Sequence, residues 1–215
     1  MPAKLRLRPD LLLLLSLLLL ILLSPALDHG HWRRLVLAAL TFLSVILATV
    51  RLSQIKVWVR PAWLLMLAVV VFAVASHFVH NQVIIGIRWG LLAVFFALTA
   101  LGFFSYVRTA PSITPTHLFT AMTIFLLIGF TWASLYSVIE VFYPGSFQIA
   151  GHPIDHQSEL LYFSLVTLST VGYGDVLPLS GEARMLAALE GVTGVLFIAI
   201  TIAIVVSNFR RGSSD

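Results

Sequence analysis

Residues 170–175 read Thr-Val-Gly-Tyr-Gly-Asp, a stretch with glycine at alternate positions and no charge before Asp175. Glycine accepts φ > 0 without steric cost, so Gly172 and Gly174 allow successive carbonyl groups to point in the same direction. A row of such oxygens can replace the hydration shell of a bare monovalent cation. The stretch therefore predicts a backbone segment that exposes its carbonyl oxygens to an ion.

The composition around this stretch is that of a membrane protein. Of the 215 residues, 60% are hydrophobic and 10% are charged, and the mean hydropathy is +1.02. A soluble domain has about 45–50% apolar and about 25% charged residues. The chain contains no cysteine, which excludes disulfides and cysteine-based metal sites. We expect contact with membrane lipid, and neither a nucleic-acid partner nor an organic cofactor.

The apolar residues fall into six runs, most of which reach the roughly 20 residues that a spanning helix needs. The first run is short and follows a basic start, a pattern that also describes a signal peptide; we expect it to be retained as a helix. The sequence thus predicts an all-α membrane protein with six transmembrane helices. The runs occupy about residues 11–27, 35–50, 62–80, 83–107, 117–142 and 184–208.

The positions of Lys and Arg predict the orientation of these helices. With a cytoplasmic N-terminus and six spans, nine of the thirteen basic residues lie on the inner side. Both termini are then cytoplasmic, and the loop 143–183, which contains the glycine stretch, faces outward. The nine are Lys4, Arg6, Arg8, Arg51, Lys56, Arg60, Arg108, Arg210 and Arg211, and the other four are Arg33, Arg34, Arg88 and Arg184.

A short helix is predicted immediately before the glycine stretch, over about 158–170. Ser158 is the expected N-cap, and Leu161, Leu165 and Leu168 give the helix an apolar face. The helix is too short to span, so we expect it to re-enter the membrane with its C-terminal end towards the centre. The partial negative charge at that end favours a cation.

The segment from Leu161 to Pro178, with YFSLVTLSTVGYGDVLP at its heart, resembles the pore loop of the tetrameric potassium channels. With the flanking helices, the resemblance covers residues 117–208, a little under half of the chain. It implies a role for each residue of the selectivity filter. The Thr170 hydroxyl and carbonyl form the innermost site, the carbonyls of Val171, Gly172 and Tyr173 form the sites above it, and Gly174 with Asp175 forms the outer mouth.

The resemblance also implies properties of the whole chain. It implies a potassium channel subunit of the bacterial type in the inner (plasma) membrane, which conducts K⁺ passively and catalyses no covalent reaction. One chain brings one filter loop and closure needs four, so a homotetramer is implied. Residues 1–110 then form a four-helix transmembrane domain in the position of a voltage sensor. Residues 111–215 form a pore domain with an outer helix, a re-entrant pore helix, the filter and an inner helix.

One departure from the family concerns Asp175. Val166 stands where some relatives carry a glutamate that pairs with the filter aspartate, so Asp175 needs another hydrogen-bond donor. Tyr162 or a water molecule is the candidate donor. We therefore expect the filter to be held differently here and to inactivate differently.

The last apolar run is expected to line the inner pore. Gly191 and Gly194 lie on one face, and Gly194 stands at the family's hinge position, although small residues also serve close helix packing. Glu190 is expected to make a hydrogen bond behind the filter rather than to contact ions. At helical spacing, the inward face carries Val195, Ile198, Ile202 and Val206.

The fourth run lacks the charge pattern of a voltage sensor. Such sensors repeat Arg or Lys at every third position, but residues 83–107 contain only Arg88. We expect Arg88 to reach lipid headgroups. Only seven residues follow Asn208, so a cytoplasmic ligand-binding domain is not expected either.

Two questions stay open at this stage. Six of the seven histidines fall on the outer side, where they either sense external pH or are simply solvated: His29, His31, His77, His80, His152 and His156. The function has alternatives in other classes, namely a potassium transporter subunit or a non-conducting regulatory subunit. A single intact filter loop argues against both.

Overall fold

A computed structural model of the chain describes residues 9–26, 33–53, 59–79, 81–109, 115–154 and 156–212. The described part is mostly helical, with three short strands near the glycine stretch. The helices are α1 Pro9–Ala26, α2 Arg33–Ser53, α3 Val59–Phe78, α4 Gln82–Arg108, α5 Pro115–Phe142, α6 Gln157–Leu168 and α7 Gly181–Gly212. The strands are β1 Phe147–Ile149, β2 His152–Pro153 and β3 Val176–Pro178.

Each of the six apolar runs forms a helix, but the helices differ in length. Within the described ranges, three helices are long and apolar enough to cross a membrane: Gln82–Arg108, Thr116–Phe142 and Gly181–Ile204. The apolar parts of α1, α2 and α3 are shorter and cover Leu11–Ser24, Ala39–Val50 and Ala62–Ser76. The structure thus confirms a mostly helical membrane protein, and the six-span topology stays a prediction.

The main hydrophobic core lies between α4 and α5 and continues into the first three helices. Phe96 of α4 packs on Phe130 of α5 with ring centroids 5.4 Å apart. Gly86 lets the ring of Phe142 approach so closely that a Cβ at this position would lie 2.5 Å from it. The predicted units 1–110 and 111–215 therefore share one apolar core, and the predicted boundary between them falls outside the described residues.

A small antiparallel sheet, which was not predicted from the sequence, is formed by strands that precede and follow α6 in the chain. Its strand order is β2-β1-β3, and β1 pairs Phe147 with Pro178 and Ile149 with Val176. The predicted fold class therefore needs a correction: the chain is not purely α-helical, because backbone pairing in the loop gives three short strands. The sheet ties the chain before α6 to the chain after residue 175.

The turn between α5 and β1 is held by a carboxylate from the end of the helix. Glu140 accepts hydrogen bonds from the backbone N–H groups of Gly145 at 2.6 Å and Phe147 at 3.1 Å. Hydrogen bonds to a charged acceptor are stronger than neutral ones. Glu140 thus fixes where β1 begins relative to α5.

Candidate functional site

The helix α6 starts at Gln157, and its N-cap is His156. The expected N-cap at Ser158 is therefore wrong. The Glu159 carboxylate accepts a hydrogen bond from the backbone N–H of His156 at 3.3 Å, which satisfies a donor at the helix start and places negative charge at the positive end of the helix. The observed N-cap thus lies two residues before the predicted one.

The predicted apolar face of α6 is buried. Leu168 has no exposed surface and Leu161 is 8% exposed. Leu165 packs against α5 at Gly129, where an added Cβ would lie 2.8 Å from Leu165 Cδ2. The last residue of α6 is Leu168, so the helix ends two residues before Thr170.

The backbone from Thr170 to Gly174 repeatedly enters the left-handed region. The φ angles are +61° at Thr170, +56° at Gly172 and +78° at Gly174. Glycine adopts these values easily, whereas a β-branched threonine does so rarely and at a cost. The Val166 carbonyl accepts hydrogen bonds from the N–H groups of Val171 at 3.0 Å and Gly172 at 3.3 Å, so the last turn of α6 holds this conformation.

The glycine stretch is uncovered in the single chain. Tyr173 is 71% exposed and Val171 is 53% exposed. A concavity of about 450 Å³, bordered by Thr170, lies between the end of α6 and the middle of α7. Three of its lining residues are predicted site residues: Thr170, Gly191 and Val195. The other three are Thr167, Val192 and Leu196.

The other residues of the predicted inward face of α7 are exposed. Ile198 is 44% and Ile202 58% exposed, and both share a helical face with Val195. The side chain of Val206 lies outside the described residues. Only 11% of the apolar part of α7 is buried in the single chain, against 39% for α4 and 44% for α5. This helix presents a large apolar surface that the other described residues do not cover.

The predicted donor to Asp175 is confirmed. The Tyr162 hydroxyl donates to Asp175 Oδ2 at 2.7 Å, and the backbone N–H of Val176 donates to Oδ1 at 3.0 Å. The hydrogen bond from Tyr162 lowers the pKa of Asp175 below its ordinary value. The same bond to the Asp175 carboxylate raises the pKa of Tyr162.

In a channel of the kind that the resemblance implies, replacing Tyr162 by Phe is expected to speed inactivation of the potassium current, because Asp175 then loses its side-chain donor. The wild-type bond favours the ionised form of Asp175, so it is present above the ordinary carboxyl pKa and is lost as pH falls through the lowered pKa. Acidification should therefore reproduce the Tyr162→Phe effect in the wild type. Inactivation time courses at several external pH values would measure this. Tyr143 is also an exposed tyrosine, so Tyr143→Phe is the control. Equal inactivation kinetics in the wild type, Tyr162→Phe and Tyr143→Phe would contradict the expectation.

Gly194 makes the closest backbone approach in this region. A Cβ on Gly194 would lie 2.0 Å from the Leu168 carbonyl oxygen, whereas a Cβ on Gly191 would meet nothing within 4 Å in the same chain. Of the two interpretations of Gly194, close packing is thus observed. The hinge role of Gly191 and Gly194 stays a prediction.

Glu190 is hydrogen-bonded behind α6, as expected. It has no exposed surface, and its carboxyl group contacts the Tyr136 hydroxyl on α5 and the Ser164 hydroxyl on α6, both at 2.5 Å. Ser164 also donates to the carbonyl of Gly129 at 2.8 Å. Glu190 could be singled out in the sequence because it is the only acid within the apolar run. Its hydrogen-bond partners could not be predicted from residue spacing.

Three aromatic rings that the sequence analysis missed join α5, β1 and α6. The ring of Tyr136 lies 5.1 Å from that of Phe147 and 5.3 Å from that of Phe163, and the last two rings are 5.6 Å apart. Phe147 has no exposed surface. This cluster connects the small sheet to the buried side of α6.

The residues with open interpretations are placed as follows. Arg88 lies with its guanidinium carbon 4.4 Å from the centre of the Trp89 ring, a cation–π contact. His152 is exposed in β2. His29, His31 and His80 lie outside the described residues, as does the side chain of His77. Across the described ranges there is no group of three or more His, Cys, Asp or Glu that could hold a metal ion.

The comparison with protein families assigns the segment that contains this site. Residues 151–211 match the family described as "Ion channel". This match extends from β2 through α6 and the glycine stretch to near the end of α7. This part of the chain is therefore similar to an ion-channel family, and the relatives that align with it support the resemblance to potassium channels.

Individual relatives are similar over the same limited length. A protein of Rhodopseudomonas palustris, classed by name alone as a potassium channel protein, is 41% identical over 53 residues, which cover 25% of this chain and 13% of that protein. The voltage-gated potassium channel protein shk-1 of Caenorhabditis elegans is 43% identical over 50 residues, which cover 23% of this chain and 9% of that protein. The human voltage-gated potassium channel subfamily A member 6 is 37% identical over 52 residues, covering 24% and 10%. No solved structure matches the chain.

Proposed function

We propose that this chain is the pore-forming subunit of a potassium-selective channel. The observation that carries the proposal is the glycine stretch held between α6 and α7, within a segment that matches an ion-channel family. In the proposed channel, α6 is the re-entrant pore helix and α7 the inner helix. Thr170 to Gly174 form the K⁺ sites, and Asp175 lies at the outer mouth.

The backbone geometry supports this assignment of the filter. Alternating left-handed residues at Thr170, Gly172 and Gly174 suit a strand whose successive carbonyls turn to one side. Thr170 borders the same concavity as Val195. The C-terminal end of α6, with its partial negative charge, ends beside this concavity and favours a cation there.

The proposed assembly is a homotetramer, which two features of the single chain support. One chain contributes a single exposed filter segment, and most of the apolar surface of α7 is uncovered. A second, third and fourth copy around a central axis would cover both. In this assembly Val195, Ile198, Ile202 and Val206 line the inner pore, Gly191 and Gly194 serve as its hinge, and all six apolar helices span the membrane with both termini in the cytoplasm of a bacterial cell.

The proposed channel is not gated by a ladder of charges. Arg88 is the single basic residue between positions 83 and 107, and moving one charge per subunit provides about a quarter to a third of the work that three to four gating charges provide. The alternative functions are a potassium transporter subunit and a non-conducting regulatory subunit. An intact filter sequence in one loop favours the channel over both.

The decisive measurement is the reversal potential of the full-length protein in liposomes under opposing K⁺ and Na⁺ gradients. We expect it to lie near the K⁺ equilibrium potential and to be independent of Na⁺. A reversal potential that does not follow K⁺ would refute selectivity, and steep activation by voltage would refute the gating proposal. The double variant with Gly172→Ala and Gly174→Ala is the control, because alanine is strained at both φ values and should leave no potassium current.

A further inference from the structure

A carboxyl group without exposed surface lies where α5, α6 and α7 meet. Glu190 Oε2 lies 2.5 Å from the Tyr136 hydroxyl oxygen, and Oε1 lies 2.5 Å from Ser164 Oγ. Ser164 Oγ lies 2.8 Å from the Gly129 carbonyl oxygen as well. Three oxygen–oxygen contacts thus connect side chains and backbone from three helices.

These three contacts require three protons. The Gly129 carbonyl oxygen only accepts, and the hydroxyls of Tyr136 and Ser164 supply one proton each. An ionised Glu190 supplies none, so one contact would bring two oxygen atoms together with no hydrogen between them. A neutral Glu190 completes the set. Tyr136 then donates to Oε2, the acid proton on Oε1 is donated to Ser164 Oγ, and Ser164 donates to Gly129.

The surroundings of Glu190 also disfavour a charge. Tyr136 is the titratable group that faces it from α5, and Ser164, which does not titrate in water, faces it from α6. On α7 the nearest charged residues, Arg184 and Glu182, are exposed and stand six and eight positions earlier. Among the described residues no cation contributes to its electrostatics. An isolated carboxylate without a cation is costly to bury, so it takes up a proton instead.

We propose that Glu190 is a neutral carboxylic acid whose proton is donated to Ser164, and that it is a positioning residue for the filter. Ser164 stands six positions before Thr170 on the helix that ends at the glycine stretch. Glu190 therefore fixes α6 against both α5 and α7, and through α6 it fixes the start of the filter. The protonation is inferred from the hydrogen-bond geometry and the burial of Glu190 and does not depend on the proposed channel function. The positioning role does rest on that function.

Infrared difference spectroscopy tests the protonation without any need for conduction. The full-length wild type and Glu190→Gln are compared at neutral pH in detergent or lipid. We expect the wild type to show a C=O stretching band of a protonated carboxylic acid that Glu190→Gln lacks. If the two proteins instead differ only in the bands of an ionised carboxylate, Glu190 is charged and the proposal is wrong.

Potassium flux into liposomes tests the positioning role. Glu190→Ala leaves the Tyr136 and Ser164 hydroxyls without their partner, and we expect at least about a tenfold loss of flux. The conservative Glu190→Gln should restore most of the flux, because its amide N–H₂ donates to Ser164 and its C=O accepts from Tyr136. Alkaline pH should reduce flux in the wild type, where it ionises Glu190, and leave the Glu190→Gln profile flat.

The outcomes separate the two proposals. Glu190→Gln with as little flux as Glu190→Ala, or with the same alkaline loss as the wild type, overturns the positioning role. A wild type without potassium flux at any pH overturns the proposed function, while the infrared band still decides the protonation. If Glu190→Ala does not fold, the pH profiles of the wild type and Glu190→Gln still decide the positioning role.

Discussion

Gly194→Ala is expected to lower the midpoint of thermal unfolding and to remove most of the potassium flux. The new methyl group would lie 2.0 Å from the Leu168 carbonyl oxygen and 2.9 Å from its carbonyl carbon. Both atoms belong to the backbone, so no side-chain rotation relieves the overlap. Overpacking in a core costs typically about 1–3 kcal/mol, and a backbone neighbour favours the upper end of this range. The end of α6 would have to move, and Thr170 with it.

Gly90→Ala is the matched control for this variant. Gly90 lies inside α4, where an added Cβ meets nothing within 4 Å, and alanine stabilises a helix interior by about 0.5–1 kcal/mol relative to glycine. Its unfolding midpoint should therefore equal or exceed that of the wild type. Thermal unfolding followed by size-exclusion chromatography, with flux measured on the same preparations, compares the three proteins. A Gly194→Ala protein as stable and as conductive as the wild type would show that α7 does not approach α6 this closely.

Phe147→Ala is expected to destabilise the protein by about 3–5 kcal/mol, which is the usual cost of truncating a buried phenylalanine to alanine. The Phe147 ring is fully buried and contacts the rings of Tyr136 and Phe163. Its loss leaves a cavity between β1, α5 and α6. Because Tyr136 also contacts Glu190, the support behind the glycine stretch should weaken, and potassium flux should fall together with stability.

The control for Phe147→Ala is the same substitution at Phe119. Phe119 belongs to α5 and is 38% exposed, so its truncation removes fewer contacts and leaves no closed cavity. Chemical unfolding in detergent and liposome flux measure both variants. Equal losses of stability in the two proteins would contradict the assignment of Phe147 to a closed aromatic cluster.

The helices were predictable because each is marked by an uninterrupted run of apolar residues. The ends were less predictable, and α7 shows why. The apolar run begins at Arg184, but the helix begins at Gly181, where the Ser180 hydroxyl accepts a hydrogen bond from the Ala183 N–H at 3.2 Å. Hydropathy marks the part of a helix that faces lipid, whereas capping contacts fix where it starts. At α6, residue-type capping preference favoured Ser158, but the contact of Glu159 with the His156 N–H makes His156 the N-cap.

Within the candidate site, local contacts were predictable and distant ones were not. Tyr162 and Asp175 lie thirteen positions apart, and the resemblance indicated that Asp175 needs a new donor. Tyr136 and Glu190 lie 54 positions apart, and their contact depends on how α5 packs against α7. The positive φ of Thr170 has no signal in the residue type, because it results from the way α6 ends beneath Val171 and Gly172.

The pairing of β1 with β3 brings the two ends of the segment between them together. Neighbouring strands lie about 4.8 Å apart, so the chain returns beside its entry point after passing through β2, α6 and the glycine stretch. Within this region, α6 packs closely against α5 at Gly129 and against α7 at Gly194. A segment taken from another protein therefore fits between β1 and β3 only if its helix matches the space left by the small residues at positions 129 and 194.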